Sequence, residues 1–162
     1  MPKDASATRS SIITAAVLTL QRGGVEGFTL DAVARRAGVV KGLVLYHYGS
    51  QGRLLRMAAT QIDNQRTAGL RRVLTGGGTA AVDACWEELR RQNEDGTARA
   101  WLSSCAAGLI DRSTKNEGFE EAARTALIDG CAVALASGVP LADVRDAYNA
   151  LWLALLDATE AV

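Results

Sequence analysis

Side chains that can donate hydrogen bonds to DNA cluster in one short stretch, Lys41 to Ser50. This stretch reads KGLVLYHYGS and holds a lysine, two tyrosines and His47, the sole histidine of the chain. Lysine can pair with guanine O6 and N7 in the major groove, whereas hydroxyls and ring N–H groups bind phosphate oxygens. The stretch therefore favours nucleic-acid binding over catalysis.

No other residues are spaced for catalysis or metal binding. Cys85, Cys105 and Cys131 lie far apart and form no CxxC pair, which favours buried, reduced thiols. The Gly76-Gly77-Gly78 run lacks a following Lys-Ser/Thr, so it predicts a linker rather than a phosphate loop. An enzyme is the second class of function to weigh, and we expect no catalytic residue, metal or cofactor.

Apolar residues recur at helical spacing along the whole chain, and no segment alternates as a strand would. Glycines and capping residues divide the pattern into about eight helices, with Thr29 and Ser50 as N-caps and Pro140 in a first turn. The prediction is an all-α fold with a three-helix head, residues 1–49, on a helical body, residues 50–162. The predicted helices cover about 6–22, 30–37, 40–47, 51–74, 79–93, 97–113, 117–137 and 140–160.

The segment from Thr29 to Leu55 predicts a helix-turn-helix, because two short helices meet at a turn containing Gly38 and a third follows. The second helix of such a motif lies in the major groove. Side chains that face the groove are expected to contact base edges, and the remaining side chains are expected to contact phosphates. Burial in the core is an alternative for Leu43 and Leu45, and an ordinary surface position is an alternative for His47. The predicted DNA contacts are Thr29, Val40, Lys41, Leu43, Leu45, Tyr46, His47, Ser50 and Gln51.

The run TLDAVARRAGVVKGLVLYHYGSQGRLL resembles the DNA-binding stretch of the TetR family of transcriptional regulators. The resemblance is carried by the turn Ala37-Gly38-Val39, Gly42, the run Tyr46-His47-Tyr48 and Ser50, and it covers residues 9–56. Beyond that, only helical character and size match.

Two positions depart from the family pattern. Val40 stands where a small polar residue is common, and Gln51 where lysine is usual. Val40 changes which hydrogen bonds the start of the recognition helix can donate to DNA. Gln51 removes a positive charge that would contact a phosphate. These departures keep open a third class, an adaptor whose helix-turn-helix no longer binds DNA.

The resemblance implies a sequence-specific regulator on a pseudo-palindromic operator, typically a cytoplasmic bacterial repressor that a small-molecule effector releases. The charge distribution agrees with DNA binding by the head: residues 1–56 hold eight Lys/Arg against three acids, and the remainder holds ten against fifteen. No segment is long and apolar enough to predict a membrane span.

The last two predicted helices carry more apolar surface than one small body can cover, which favours a two-fold interface over a monomeric core. The family resemblance implies the same homodimer. The expected interface residues are Leu127, Cys131, Tyr148, Leu151, Trp152 and Leu155.

An effector pocket in the body is implied by the resemblance alone. The large or polarisable side chains there are its candidates, although plain core packing is the favoured interpretation of each tryptophan taken singly. The candidates are Trp86, Trp101, Cys105 and Trp152.

Overall fold

The computed structural model describes residues 2–75, 78–110 and 119–160, and every regular element among them is an α-helix. The expected all-α fold with a helix-turn-helix head is confirmed. In the part of the chain described, the helices are α1 (Pro2–Gly23), α2 (Leu30–Ala37), α3 (Lys41–Tyr48), α4 (Gln51–Leu74), α5 (Gly78–Glu94), α6 (Thr97–Ala106), α7 (Phe119–Ala136) and α8 (Leu141–Glu160).

The chain packs as two compact units. Unit 1 comprises Met1–Thr67 with Arg99–Asp111, and unit 2 comprises Ala68–Ala98 with Arg112–Val162. Helix α4 therefore contributes residues to both units. Packing groups the first part of α4 with residues 1–49, and the division at residue 49 stays a prediction.

The core of unit 1 forms where the apolar faces of α1, α2 and α3 meet. Ile12, Leu20, Phe28, Val33 and Val44 are all buried there. Ile12 and Leu20 lie eight residues apart on α1, a spacing that places both on one helical face. Burial of these side chains holds the two short helices α2 and α3, which are too short to be stable alone.

The core of unit 2 is built from aromatic and aliphatic side chains of α5, α7 and α8. Tyr148 is fully buried between Trp86 and Trp152, with ring centroids 5.4 Å and 6.2 Å away. Its hydroxyl donates to the Val82 carbonyl at 2.7 Å, which satisfies the one polar atom of the side chain. Burial raises the pKa of the Tyr148 phenol, so it stays protonated and keeps this bond.

Two helix ends differ from the sequence prediction. The sixth helix was expected to reach residue 113, but α6 ends at Ala106 because Gly108 adopts a left-handed φ of 67°. The Leu109 N–H then closes the end on the Ser104 carbonyl at 2.9 Å, as in a Schellman cap. The first helix begins at Pro2 rather than near residue 6, and proline is favoured at a first helical position. The expected start of the seventh helix at 117 lies outside the described residues.

Candidate nucleic-acid interface

The turn between α2 and α3 sets the direction in which α3 leaves the head. The Thr29 hydroxyl caps α2 by accepting from the Ala32 N–H at 3.1 Å, as predicted. Gly38 ends α2 with φ 69°, and the Val39 N–H bonds the Ala34 carbonyl at 3.0 Å. Nothing lies within 4 Å of a Cβ added at Gly38, so the left-handed backbone, and not space, requires glycine here.

The inner face of α3 is anchored to unit 1 by two side chains four residues apart. Val44 is fully buried, and Tyr48 is 2% exposed with its hydroxyl donating to the Arg9 carbonyl at 2.7 Å. Burial raises the pKa of the Tyr48 phenol, which therefore remains a donor. Sequence reasoning assigned no role to Tyr48, although its spacing from Val44 was a signal for the same helical face.

The outer face of α3 presents a mixture of apolar and polar groups. Val40 is 73% and Tyr46 82% exposed, and Leu45 is also exposed, which excludes the buried alternative for Leu45. Leu43 and His47 are half-buried, and the His47 ring lies edge-on to that of Tyr46 at 5.3 Å. This face of α3 therefore lies outside the core of unit 1.

Lys41, the predicted guanine reader, forms an ion pair that the sequence did not indicate. Its ammonium lies 2.9 Å from the carboxylate of Asp31 in the first turn of α2. Both side chains are exposed, and such pairs contribute only about 0–1 kcal/mol. Lys41 can therefore leave Asp31 for a base or a phosphate at little cost.

The start of α4 is held by two side chains next to α3. The Ser50 hydroxyl accepts from the Arg53 N–H at 3.2 Å, which is an N-cap contact as expected. The Gln51 amide donates to the Phe28 carbonyl at 3.0 Å, so the residue that replaces the usual lysine ties α4 to the loop before α2. Val40, the other position that departs from the family pattern, is the N-cap residue of α3. Its side chain makes no capping hydrogen bond, so the start of α3 has no side-chain cap.

The four candidate pocket residues do not share one unit. Trp101 and Cys105 lie in unit 1, where the Trp101 N–H donates to the Asp63 carboxylate at 3.1 Å and the Arg66 guanidinium lies 3.9 Å from its ring centroid. Trp86 and Trp152 belong to the core of unit 2.

The expected interface residues divide between the core and the surface of unit 2. Tyr148 and Trp152 are buried in the core of unit 2. Leu127 and Cys131 are buried but line a groove of about 250 Å³ between α7 and α8, and Leu151, which is 51% exposed, lines it as well. The side chain of Leu155 lies outside the described residues. The remaining walls of this apolar groove are Ala126, Gly130, Ala134, Val139, Asp143, Val144 and Ala147.

Over residues 2–75, 78–110 and 119–160, no three His, Cys, Asp or Glu side chains are grouped to hold a metal ion. No helix in the same ranges has the length and apolarity needed to cross a membrane.

The comparisons with known proteins place the head in a family and the chain in a fold. Residues 12–58 match the family described as bacterial regulatory proteins, tetR family. No protein of curated function matches the chain. The helix-turn-helix head therefore defines a DNA-binding transcriptional regulator. The match covers the helix-turn-helix head and the start of α4, and it does not extend over the body.

Solved structures similar to the chain share this fold. A Rhodococcus sp. protein assigned to the TetR family is 23% identical with a TM-score of 0.52, and the match covers 97% of this chain and 98% of that one. The multidrug binding protein EbrR, solved with imidazole, is 19% identical with a TM-score of 0.60 over 88% of each chain. A gamma-butyrolactone receptor, an ArpA-like protein, is 22% identical with a TM-score of 0.57 over 93% of this chain and 97% of that one.

Proposed function

We propose that this regulator reads a pseudo-palindromic operator as a homodimer in the bacterial cytoplasm, and that a small-molecule effector releases it from DNA as a repressor. The main support for the proposal is that α3, the expected recognition helix, has one face fixed to the core and the other face exposed. Val44 and Tyr48 fix α3 to the core, while Val40, Lys41 and Tyr46 stand in solvent. A helix held in this way can enter the major groove without rearranging its support.

Each exposed group of α3 suits a different part of DNA. The Lys41 ammonium can donate to guanine O6 and N7, and the Val40 methyl groups can contact a thymine methyl. The Tyr46 hydroxyl and the His47 ring N–H can donate to phosphates, which fix register without reading sequence. Leu43 and Leu45 would add apolar contacts to bases.

We expect Lys41→Ala to lower operator affinity by roughly 1–3 kcal/mol and to relax specificity at one base pair. His47→Ala and Tyr46→Phe should weaken binding to all sequences alike, because phosphates are present in every sequence. Fluorescence anisotropy at fixed salt, on duplexes from the region flanking the protein's own gene, measures these affinities. Arg71→Ala, which removes a positive charge from exposed Arg71 in unit 2, is the matched control. Unchanged affinity in all three α3 variants would refute the reading role of α3, and wild-type protein that binds no duplex would favour the adaptor.

The dimer proposal is supported by the apolar groove. Small residues such as Gly130, Ala134 and Ala147 line it, and they allow a helix of a second subunit to approach closely. Leu151 at its edge would fill the matching groove of the partner in a two-fold arrangement. Two heads joined in this way would read half-sites about 34–36 Å apart, or a multiple of that spacing.

Effector control is supported by the names of two structural relatives, which are a multidrug binding protein and a gamma-butyrolactone receptor. In this chain, the buried Trp101 ring contacts Asp63 and Arg66, so a ligand bound beside Trp101 would act on the helix that carries both residues. Helix α4 carries Asp63 and Arg66 and begins beside α3, so a ligand that moved it would disturb the reading head. The ligand must favour the released state, since equal affinity for both states shifts nothing.

Reciprocity tests this control. A compound found in a metabolite screen by tryptophan fluorescence should weaken operator binding by the same factor by which operator DNA weakens binding of the compound. Trp101→Phe should change the fluorescence response more than Trp86→Phe, which removes an indole from unit 2. Compounds that bind the protein yet leave operator affinity unchanged would show that the body is a dimerisation platform and no sensor.

A further inference from the structure

An acidic side chain lies against the one lysine of the recognition helix. Asp31 Oδ2 is 2.9 Å from Lys41 Nζ, across ten residues of sequence. Asp31 belongs to the first turn of α2 and Lys41 is the first residue of α3, so the pair joins the two helices of the helix-turn-helix. No other residue of α3 carries a permanent positive charge. The carboxylate therefore neutralises the only fixed charge that this helix brings to DNA.

We infer that Asp31 is a specificity-determining residue, which keeps Lys41 occupied on DNA of arbitrary sequence and releases it where a base offers two acceptors. The inference rests on the proposed DNA-reading function. It assigns Asp31 a role in discrimination and not in strengthening the complex with the operator.

Binding to DNA of arbitrary sequence comes from lysine and arginine side chains that neutralise phosphates and release counterions. A carboxylate 2.9 Å from Lys41 removes that contribution and also repels nearby phosphates. Binding to arbitrary sequences must then depend on other basic residues of unit 1, such as the exposed Arg35, Arg36, Arg53 and Arg56.

Guanine changes the balance at one position. Its O6 and N7 atoms accept from Lys41 together and so replace the single carboxylate of Asp31. The ion pair is exposed and screened, so little opposes its opening once better acceptors are present. Specificity is a difference between two affinities, and a group that weakens the wrong complex raises it as effectively as one that strengthens the right complex.

The experiment compares wild-type protein with Asp31→Asn on two duplexes. The first is enriched by the wild-type full chain from a randomised pool, and the second is a scramble of equal length and composition. Anisotropy titrations at several salt concentrations should show roughly two- to fivefold tighter binding of Asp31→Asn to the scramble. The slope of log affinity against log salt should steepen by about one for each subunit, since the freed Lys41 contacts a phosphate. The enriched duplex should gain less, so the ratio of the two affinities falls.

Two controls separate this role from a general effect of charge. Glu26→Gln removes another exposed carboxylate from unit 1 and should leave the ratio of affinities unchanged. In a Lys41→Ala background, Asp31→Asn should have a smaller effect on the scramble, because Asp31 acts through Lys41.

Three results would overturn the inference. These are an unchanged ratio in Asp31→Asn, an equal change in Glu26→Gln, and weaker binding of Asp31→Asn to the enriched duplex, which would mean that Asp31 accepts from a cytosine amino group directly. In each case wild-type protein still enriches a sequence, and the proposed function stands. Wild-type protein that enriches no sequence would instead refute the proposed function, and the inference with it.

Discussion

In the proposed homodimer, Leu151→Glu is expected to separate the two subunits. Leu151 is 51% exposed and borders the apolar groove between α7 and α8, so a dimer through this face would bury its side chain. A carboxylate buried there without a partner costs several kcal/mol, which is enough to separate the subunits. Because two linked heads bind DNA with an avidity of roughly 10²–10⁴ over one, operator affinity should fall by a factor in that range.

Leu153→Glu is the matched control for this prediction. Leu153 is 63% exposed, lies two residues along the same helix and is not among the residues that line the groove. The same charge at that position should leave the dimer intact. Light scattering across micromolar concentrations measures the oligomeric state, and circular dichroism establishes that both variants are folded. A wild-type mass equal to one chain throughout this range would rule out the dimer.

Gly69→Ala is expected to destabilise unit 2, although alanine in place of a helix-interior glycine usually gains about 1 kcal/mol. Gly69 lies in α4 with its α-carbon against the Glu88 carboxylate of α5. An added Cβ would overlap Glu88 Oε1 and lie 3.0 Å from Glu88 Cδ. We expect a net loss of roughly 1–3 kcal/mol, which is the usual cost of overfilling a packed site.

Glu88 cannot move aside cheaply, because its buried carboxylate is held on several sides. It accepts from Arg91 Nε at 2.9 Å, from Arg91 Nη2 at 2.6 Å and from Gln92 Nε2 at 2.7 Å. Burial alone would raise the pKa of Glu88, but these hydrogen bonds, with the charges of Arg91 and Arg72, outweigh it and lower the pKa. The carboxylate therefore stays ionised at neutral pH, and displacing it breaks charge-assisted bonds.

Urea unfolding followed by circular dichroism, at one protein concentration, measures this destabilisation. Gly52→Ala is the control in the same helix, since only Arg56 Nη1, at 3.8 Å, lies near its added Cβ. That variant should be neutral or slightly more stable. In a Glu88→Ala background, Gly69→Ala should no longer destabilise, because the overlapping carboxylate is gone. Equal losses in both backgrounds would show that the close approach to Glu88 is not the cause.

Much of the head could be predicted because its signals are local. Thr29 and Ser50 were expected to cap helices, and the structure shows each hydroxyl accepting a backbone N–H three residues on. Gly38 was expected to turn the chain, and its positive φ is a conformation that few other residues adopt readily. The inward place of Val44 and the outward place of Lys41 follow from helical periodicity alone.

The packing of the body could be predicted less well than that of the head. Helical periodicity identifies the apolar face of a helix, but it does not identify the surface against which that face packs. Tyr148 and Trp152 lie on the same apolar stripe that predicted the dimer, yet both face the core of unit 2. Gly130 and Ala147, which line the groove, are small residues that carry a weak apolar signal. Tryptophans grouped as one pocket fall in different units, since sequence separation does not determine which core a residue joins.

The sequence by itself therefore determined the helical class, the helix-turn-helix and the face of α3 that can meet DNA, because caps, turns and periodicity act within a few residues. Only the tertiary structure decided that Asp31 holds Lys41, that Gln51 ties α4 to the Phe28 carbonyl and that Gly69 lies against Glu88. Each of these contacts joins residues ten or more positions apart. Such contacts depend on how the helices are placed against one another, and no local pattern encodes that placement.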